Sequence, residues 1–112
     1  MKGYPLKISS SAITLIKKQQ GLSLEKYCDN KGLWVIGYGH VIREWEHFPK
    51  LITPLQAEYL LLDDLELCET LLRENGTRPL TPQQHDTVVM LIFGAGDISS
   101  LSHEILQAIT RV

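Results

Sequence analysis

This chain of 112 residues has few cysteines and little net charge. Its two cysteines, Cys28 and Cys68, lie far apart and form no C-x-x-C or Cys/His cluster. This spacing argues against a disulfide framework or a zinc site and favours a reducing compartment. The net charge of -2 provides no basic field that would draw the protein to nucleic acid or an anionic membrane. We therefore expect no metal, no cofactor and no nucleic-acid partner.

Long hydrophobic runs are missing as well. No segment approaches the roughly 18 apolar residues of a membrane span, and positions 1–11 lack the continuous apolar stretch of a secretory signal. The sequence predicts a cytoplasmic protein without a membrane span, and any access to a cell wall would need a separate release route. A hydrophobic content of 44% with 21% charged residues predicts one globular domain.

The first part of the chain contains signals for one helix and one hairpin. Apolar residues recur at helical spacing from Ser9 to Gln20, behind serines that can cap the helix, and Gly21 stands where a helix ends. A turn at 29–32 is followed by a β-branched and aromatic run at 33–36, which is typical of a returning strand.

The second part of the chain is helical. Thr53-Pro54-Leu55-Gln56 combines a cap, a proline and a glutamine at the spacing that begins a helix, and the helix continues to Asn75-Gly76. The same chemistry recurs at 81–84, and a last helix is predicted over about 102–109. The sequence predicts an α+β fold in one domain, 1–112. A small lobe of about 1–52 precedes the long joining helix and a helical lobe, about 53–112.

Several segments together resemble the phage-type lysozymes. Gln20–Asp29 and Gly32–His40 resemble the active-site hairpin of that family, and Ile52–Glu58 with Asp63-Asp64 resembles the start of its long inter-lobe helix. Leu80-Thr81 with Gln84 and Phe93–Gly96 resembles the next core helix. The resemblance implies a lysozyme-like, mostly helical fold and a peptidoglycan substrate. Family members usually continue through further helices, so it also implies a truncated second lobe.

The resemblance places changed residues at the catalytic positions. Glycoside hydrolysis usually needs one carboxylic acid that protonates the leaving oxygen and a second carboxylate across the bond. The family's acid maps onto Gln20, an amide that has no such proton, while its second carboxylate maps onto Asp29. A threonine that positions water maps onto Val35, and an amide that faces the cleft maps near Gly94. We expect a pseudoenzyme that retains the fold for binding.

The expected partner is the peptidoglycan glycan or an unidentified protein, as for an inhibitor or adaptor of phage or prophage origin. The alternative is an active endolysin, a muramidase, in which another carboxylate replaces the missing acid. Glu25 is the nearest, but it lies in the strand region with no reason to point into the cleft. Asp29 has its own alternative, because aspartate before Asn-Gly-like turns is often only a turn former.

Other residues receive structural interpretations. In the family, the histidine at His40 pairs with an aspartate that maps onto Asp64, which would attach the small lobe to the long helix and favour the charged imidazole. Three further histidines show no arrangement like a nucleophile relay or a metal site and are expected at the surface or as helix caps. They are His47, His85 and His103.

Aromatic and leucine residues complete the predictions. Core packing is expected for Trp34, whereas Trp45 in a polar segment is the better candidate for a ligand or protein contact, with Tyr38 and Phe93 as further binding candidates. The run at 60–62 is expected in the interior of the joining helix. Truncation of the second lobe could leave part of it exposed and favour self-association, so the oligomeric state is open.

Overall fold

A computed structural model describes residues 6–76 and 78–111. The described residues form helices packed around one long helix, with a small antiparallel sheet at one end, so the predicted α+β class is confirmed. The elements, in chain order, are α1 (Ser10–Gln20), β1 (Ser23–Cys28), β2 (Trp34–Gly37), β3 (His40–Val41), α2 (Pro54–Asn75), α3 (Pro82–Phe93), a 3-10 turn (Ile98–Ser100) and α4 (His103–Thr110). None of the described helices is both long enough and apolar enough to cross a membrane.

The helices begin where the cap residues predict. The Ser9 hydroxyl accepts a hydrogen bond from the Ala12 N–H at 3.1 Å. Thr53 and Thr81 each form a complete capping box with the glutamine three residues later, so orphan amides at the starts of α2 and α3 are satisfied. At the other end of α1, Gly21 adopts φ +71°, a conformation that glycine tolerates best.

The sheet has the order β1-β2-β3, and both pairings are antiparallel. Tyr27 is opposite Val35 and Cys28 is opposite Trp34, so these two pairs lie on opposite faces of the hairpin. The prediction that Trp34 packs in the core is wrong: its side chain is 53% exposed and Lys26 Nζ lies 5.3 Å from its ring centroid. Ile36, two residues along the same strand, packs with Ile52 and Ala57, whereas Trp34 belongs to neither buried cluster.

Two clusters of buried side chains make up the core, and α2 contributes to both. The smaller cluster, Ile36, Ile52 and Ala57, lies beneath the sheet. The larger one joins the later turns of α2 to α3 and α4 and also includes Ile16 of α1, so α1 packs with the helical part of the molecule. Tyr38 packs against both clusters, which ties the sheet to the helices.

The leucine run of α2 is only partly interior. Leu61 is 1% exposed, whereas Leu62 is 41% exposed, because successive residues of a helix point about 100° apart. Cys68, two turns further along the buried side, has its thiol pKa raised to about 12, chiefly by burial. Both Cys28 and Cys68 are free thiols.

His85 is a second departure from the sequence interpretation, which placed it at the surface or in a cap. It is buried at 5% exposure because it shares the core-facing side of α3 with Val88, Val89 and Ile92. Its Nε2 lies 3.9 Å from a Glu69 carboxylate oxygen. The position of His85 within the helical period, rather than its polarity, determines where it lies.

Candidate active site

A cleft of about 180 Å³ lies between the hairpin and the C-terminal end of α3. The last residue of α1, one face of β1 and β2, and the glycine-rich segment after α3 form its walls. Three residues singled out from the sequence, Gln20, Asp29 and Val35, all line it. The fold therefore brings together positions that are separated by up to 15 residues in the chain.

Gln20 is the last residue of α1, because Gly21 ends the helix directly after it, and Gln20 lines the cleft. Its side chain passes over the backbone of Gly39, where an added Cβ would lie 2.5 Å from Gln20 Oε1. Gly39 also has φ +78°, a value that residues with a side chain rarely adopt. The close contact between the amide and this glycine fixes one wall of the site.

Replacement of Gly39 by alanine is expected to destabilise the protein by roughly 1–2 kcal/mol, the cost of a left-handed conformation for an L residue. The new methyl group also displaces the Gln20 amide, but this adds little cost because the amide is the far end of an exposed, flexible side chain. Gly32→Ala is a matched control, since Gly32 has φ +82° and open space around its Cβ position. Denaturant unfolding is expected to give similar losses for the two variants, and a much larger loss for Gly39→Ala would contradict a freely moving Gln20 side chain.

Asp29 shapes the hairpin turn and also lines the cleft. One carboxylate oxygen, Oδ1, accepts hydrogen bonds from the backbone N–H groups of Lys31 and Leu33, each at 2.9 Å, which shapes the hairpin turn. The residue also lines the cleft, and its Oδ2 makes no hydrogen bond to any described residue. Asp29 is thus a turn former whose second carboxylate oxygen accepts no hydrogen bond from a described residue.

Val35 and Phe93 form apolar parts of the cleft wall. Val35 is 4% exposed and presents only methyl groups at the position where the family has a threonine. Phe93, the last residue of α3, is 7% exposed, and Gly94 beside it leaves that wall without a side chain. This part of the cleft offers no side-chain hydroxyl or amide that could hold a water molecule.

Asp29 is the single carboxylic acid among the described residues that line the cleft. Glu25 does not replace the missing acid, because it lines a separate cavity of about 220 Å³ together with Glu46 and Lys50. The cleft therefore lacks the second of the two carboxyl groups on which glycoside hydrolysis usually depends.

Asp97 borders the inner end of the cleft through a small neighbouring cavity that it shares with Phe93. Burial raises the pKa of Asp97, but hydrogen bonds from Ser99 and Ser100 and the charge of Arg43 outweigh burial and lower it overall. A general acid needs a raised pKa so that it still holds its proton near neutral pH. The pKa of Asp97 is lowered instead, so this residue is not suited to act as the general acid.

His40 is held between two carboxylates behind the cleft. Its Nδ1 lies 2.8 Å from Asp64 Oδ2 and its Nε2 lies 2.9 Å from Glu46 Oε1. Burial lowers the pKa of His40, but hydrogen bonds and charges from Asp64 and Glu46 outweigh burial and raise it above its ordinary value. Both ring nitrogens face acceptors, so the charged imidazolium fits the site and links β3 to α2.

The other predicted contact residues lie outside the cleft. Trp45 is 72% exposed but does not line it. Tyr38 is half-buried between the two core clusters, with Lys17 Nζ 5.6 Å from its ring centroid. The sequence analysis missed Tyr27 and Lys31, which do line the cleft. Alternation along the strand could have identified Tyr27, because it lies two residues before Asp29.

Comparisons with known proteins agree with this geometry. The family model of phage lysozyme matches residues 17–111. An endolysin of Acyrthosiphon pisum secondary endosymbiont phage 1 is 36% identical over 89 residues, which cover 80% of this chain and 60% of that protein. The endolysin of Salmonella phage P22 is 30% identical, and the match covers 91% of this chain and 72% of that protein.

The solved structure of a phage endolysin from S. enterica has a TM-score of 0.73 and 46% sequence identity, and the match covers 81% of this chain and 96% of that one. The chain thus spans about three fifths to three quarters of the length of the two endolysins compared by sequence. The resemblance that the hairpin residues carry is confirmed, and the lysozyme-like fold with it. This chain belongs to the phage lysozyme family.

Proposed function

We propose that the cleft binds glycan strands of peptidoglycan without hydrolysing them, which makes the protein a wall-binding member of a lytic family. The observation that carries the proposal is Gln20, an amide at the position of the proton donor in a cleft with a single carboxylic acid among its described lining residues. Without a proton donor, the leaving oxygen of a glycosidic bond must depart as an unstable alkoxide. General acid catalysis typically contributes about 10² to 10⁴ in rate.

The lack of a water-positioning group supports the same conclusion. Val35 lines the cleft with methyl groups only, so this residue offers no hydroxyl that could position a water molecule beside Asp29. Asp29 itself keeps one free oxygen, but a lone carboxylate cannot act on both sides of the scissile bond. The missing acid affects protonation of the leaving oxygen, and the missing hydroxyl affects the positioning of the water molecule.

Features suited to binding are retained in the cleft. Tyr27 is 41% exposed on the cleft face and offers an aromatic surface with a hydroxyl at its edge. The amide of Gln20 and the free oxygen of Asp29 can donate to and accept from sugar hydroxyls. An apolar wall with a few converging polar groups is typical of small-molecule and sugar sites.

Sedimentation with insoluble peptidoglycan tests the proposal. The protein is expected to sediment with the wall while releasing no soluble reducing ends. Tyr27→Ala is expected to weaken binding about tenfold, as for an aromatic residue at the centre of an interface. Tyr59→Ala is the matched control, because Tyr59 is 58% exposed on α2 and does not line the cleft.

Three results would overturn the proposal. Release of glycan fragments by the unsubstituted protein would support the active endolysin instead. Failure of the folded protein to sediment with peptidoglycan would show that the cleft is not a wall-binding site. A protein would then replace peptidoglycan as the expected partner. Equal binding by the Tyr27→Ala and Tyr59→Ala variants would place the contact outside the cleft.

A further inference from the structure

We propose that the exposed side of α2 pairs with the same side of a second copy of the chain, with the two helices antiparallel across a two-fold axis near Tyr59. The observation that carries the proposal is an apolar row on this side of α2, called here the α2 stripe. It consists of Leu55, Tyr59 and Leu62. None of the three lines the cleft, so the proposal does not depend on what the cleft binds.

The α2 stripe faces away from the core. Leu55, Tyr59 and Leu62 are spaced at i, i+4 and i+7, which places them on one side of a helix. Their exposed fractions are 60%, 58% and 41%, whereas Leu61 on the core side is buried. Leu51, in the segment that leads into α2, is a further apolar side chain that is 60% exposed. Single apolar side chains are normal at a protein surface, but a contiguous row of them is typical of a contact site.

The charges at the two ends of the stripe identify a second copy as the occupant. Lys50 precedes the helix and Glu66 lies one turn beyond Leu62, and both side chains are exposed. Among the described residues, neither Lys50 nor Glu66 pairs with an opposite charge. A two-fold axis near Tyr59 brings Leu55 of each copy against Leu62 of the other. The same axis brings Lys50 of each copy toward Glu66 of the other, so two attractive charge pairs flank the apolar contact.

Parallel pairing of the two helices does not give this match. It would bring Glu66 of each copy beside Glu66 of the other, where like charges repel. Antiparallel helices also bring the positive end of each helix dipole near the negative end of the other. A two-fold interface requires a surface that is complementary to itself, and the α2 stripe with its two charged ends meets that requirement. The net charge of -2 leaves little overall repulsion between two copies.

The size of the stripe indicates a weak dimer. Three large side chains that are about half exposed present on the order of 300 Å² of apolar surface. Two stripes in contact would bury about 600 Å², and the polar residues beside them add to this area without reaching the size of a standard stable interface. We therefore expect a dimer that forms reversibly as the protein concentration rises.

Sedimentation equilibrium of the full chain, from about 10 μM to about 1 mM, tests the proposal. The mean mass is expected to rise from 12.7 kDa toward twice that value. Leu62→Glu introduces a charge into the stripe and is expected to raise the dissociation constant at least about tenfold. Leu91→Glu is the matched control, because Leu91 is 51% exposed on α3 and lies outside the stripe. Circular dichroism checks that both variants are folded.

Charge reversal tests the direction of pairing. Lys50→Glu and Glu66→Lys are each expected to weaken association about fivefold, because each replaces two exposed attractive contacts of the dimer by repulsive ones. The double variant Lys50→Glu/Glu66→Lys exchanges the two charges and is expected to associate as tightly as the unsubstituted chain. Added salt should reduce the effect of the single variants, since it screens charges at the surface.

Three outcomes would overturn the proposal. They are a mean mass that stays at 12.7 kDa at every concentration, a dimer that Leu62→Glu leaves unchanged, and a double charge variant as weak as the single variants. Peptidoglycan binding is measured separately, so failure of the proposed function leaves this inference standing. Because Tyr59 belongs to the stripe, Tyr59→Ala serves as the control for cleft binding at protein concentrations where the chain is monomeric.

Discussion

The double variant Gln20→Glu/Val35→Thr is expected to release soluble fragments from isolated peptidoglycan at least about 100-fold faster than the unsubstituted protein. The glutamate restores a proton donor of nearly the same size as the amide, over the same glycine. The threonine returns a hydroxyl to the wall beside Asp29, where a water molecule must be held. Both substitutions are close to isosteric, so the backbone that shapes the cleft is expected to stay unchanged.

The single variants show which group limits the reaction. Gln20→Glu alone is expected to give most of the gain in rate. A positioned water molecule is of little use until the leaving oxygen can be protonated. Gln19→Glu is the matched control: Gln19 is exposed, adjacent in α1 and absent from the cleft wall, so it adds the same charge without the chemistry. A folded double variant no faster than this control would show that the cleft does not hold the glycan in a reactive position.

The largest expected loss of stability follows Asp64→Asn, at about 1.5–3 kcal/mol near pH 6, because the change removes one of the two carboxylates that pair with the buried charged imidazole and leaves it with Glu46 alone. Asp64 is 4% exposed and accepts from His40 at 2.8 Å. Asp63→Asn is the control, since the neighbouring carboxylate is exposed on the other side of α2. Urea unfolding of the two variants compares the same chemical change in buried and exposed positions.

The pH dependence of the same pair has a definite sign. Because the pKa of His40 is raised in the folded protein, its contribution to stability is complete below its ordinary value of 6.5 and is lost as the pH rises through the raised value. The gap in unfolding free energy between the Asp64→Asn variant and the unsubstituted protein is therefore expected to narrow between pH 6 and pH 9. A gap that widened over this range would contradict a charged His40.

The helix boundaries were predictable because they depend on local chemistry. Thr53 and Thr81 satisfy the first amides of α2 and α3 through residues three positions away, and Gly21 ends α1 by its own backbone preference. Burial was less predictable, since it depends on what other segments cover. Trp34 and His85 exchange their expected environments for that reason: the described segments leave Trp34 53% exposed, and the helical core encloses His85.

The cleft was predictable at the positions that carry the family resemblance. Gln20, Asp29 and Val35 meet there, although they belong to α1, a turn and β2. Lys31 required the path of the turn, which the sequence pattern leaves undetermined, whereas alternation along the strand could have identified Tyr27. Trp45 was the better candidate for a contact residue, but it does not line the cleft. An aromatic residue in a polar segment indicates exposure without indicating the surface on which it lies.

The position of Gln20 at the end of α1 links catalysis to folding. The last carbonyl groups of a helix give that end a partial negative charge, and a carboxylate there is disfavoured by typically about 0.3–1 kcal/mol. Gln20 is the final residue of α1, so its neutral amide avoids this repulsion. An acid at this position would supply a proton donor at a cost to the helix end, whereas an amide avoids that cost. Under the proposed function, activity and stability would therefore oppose each other at a single side chain.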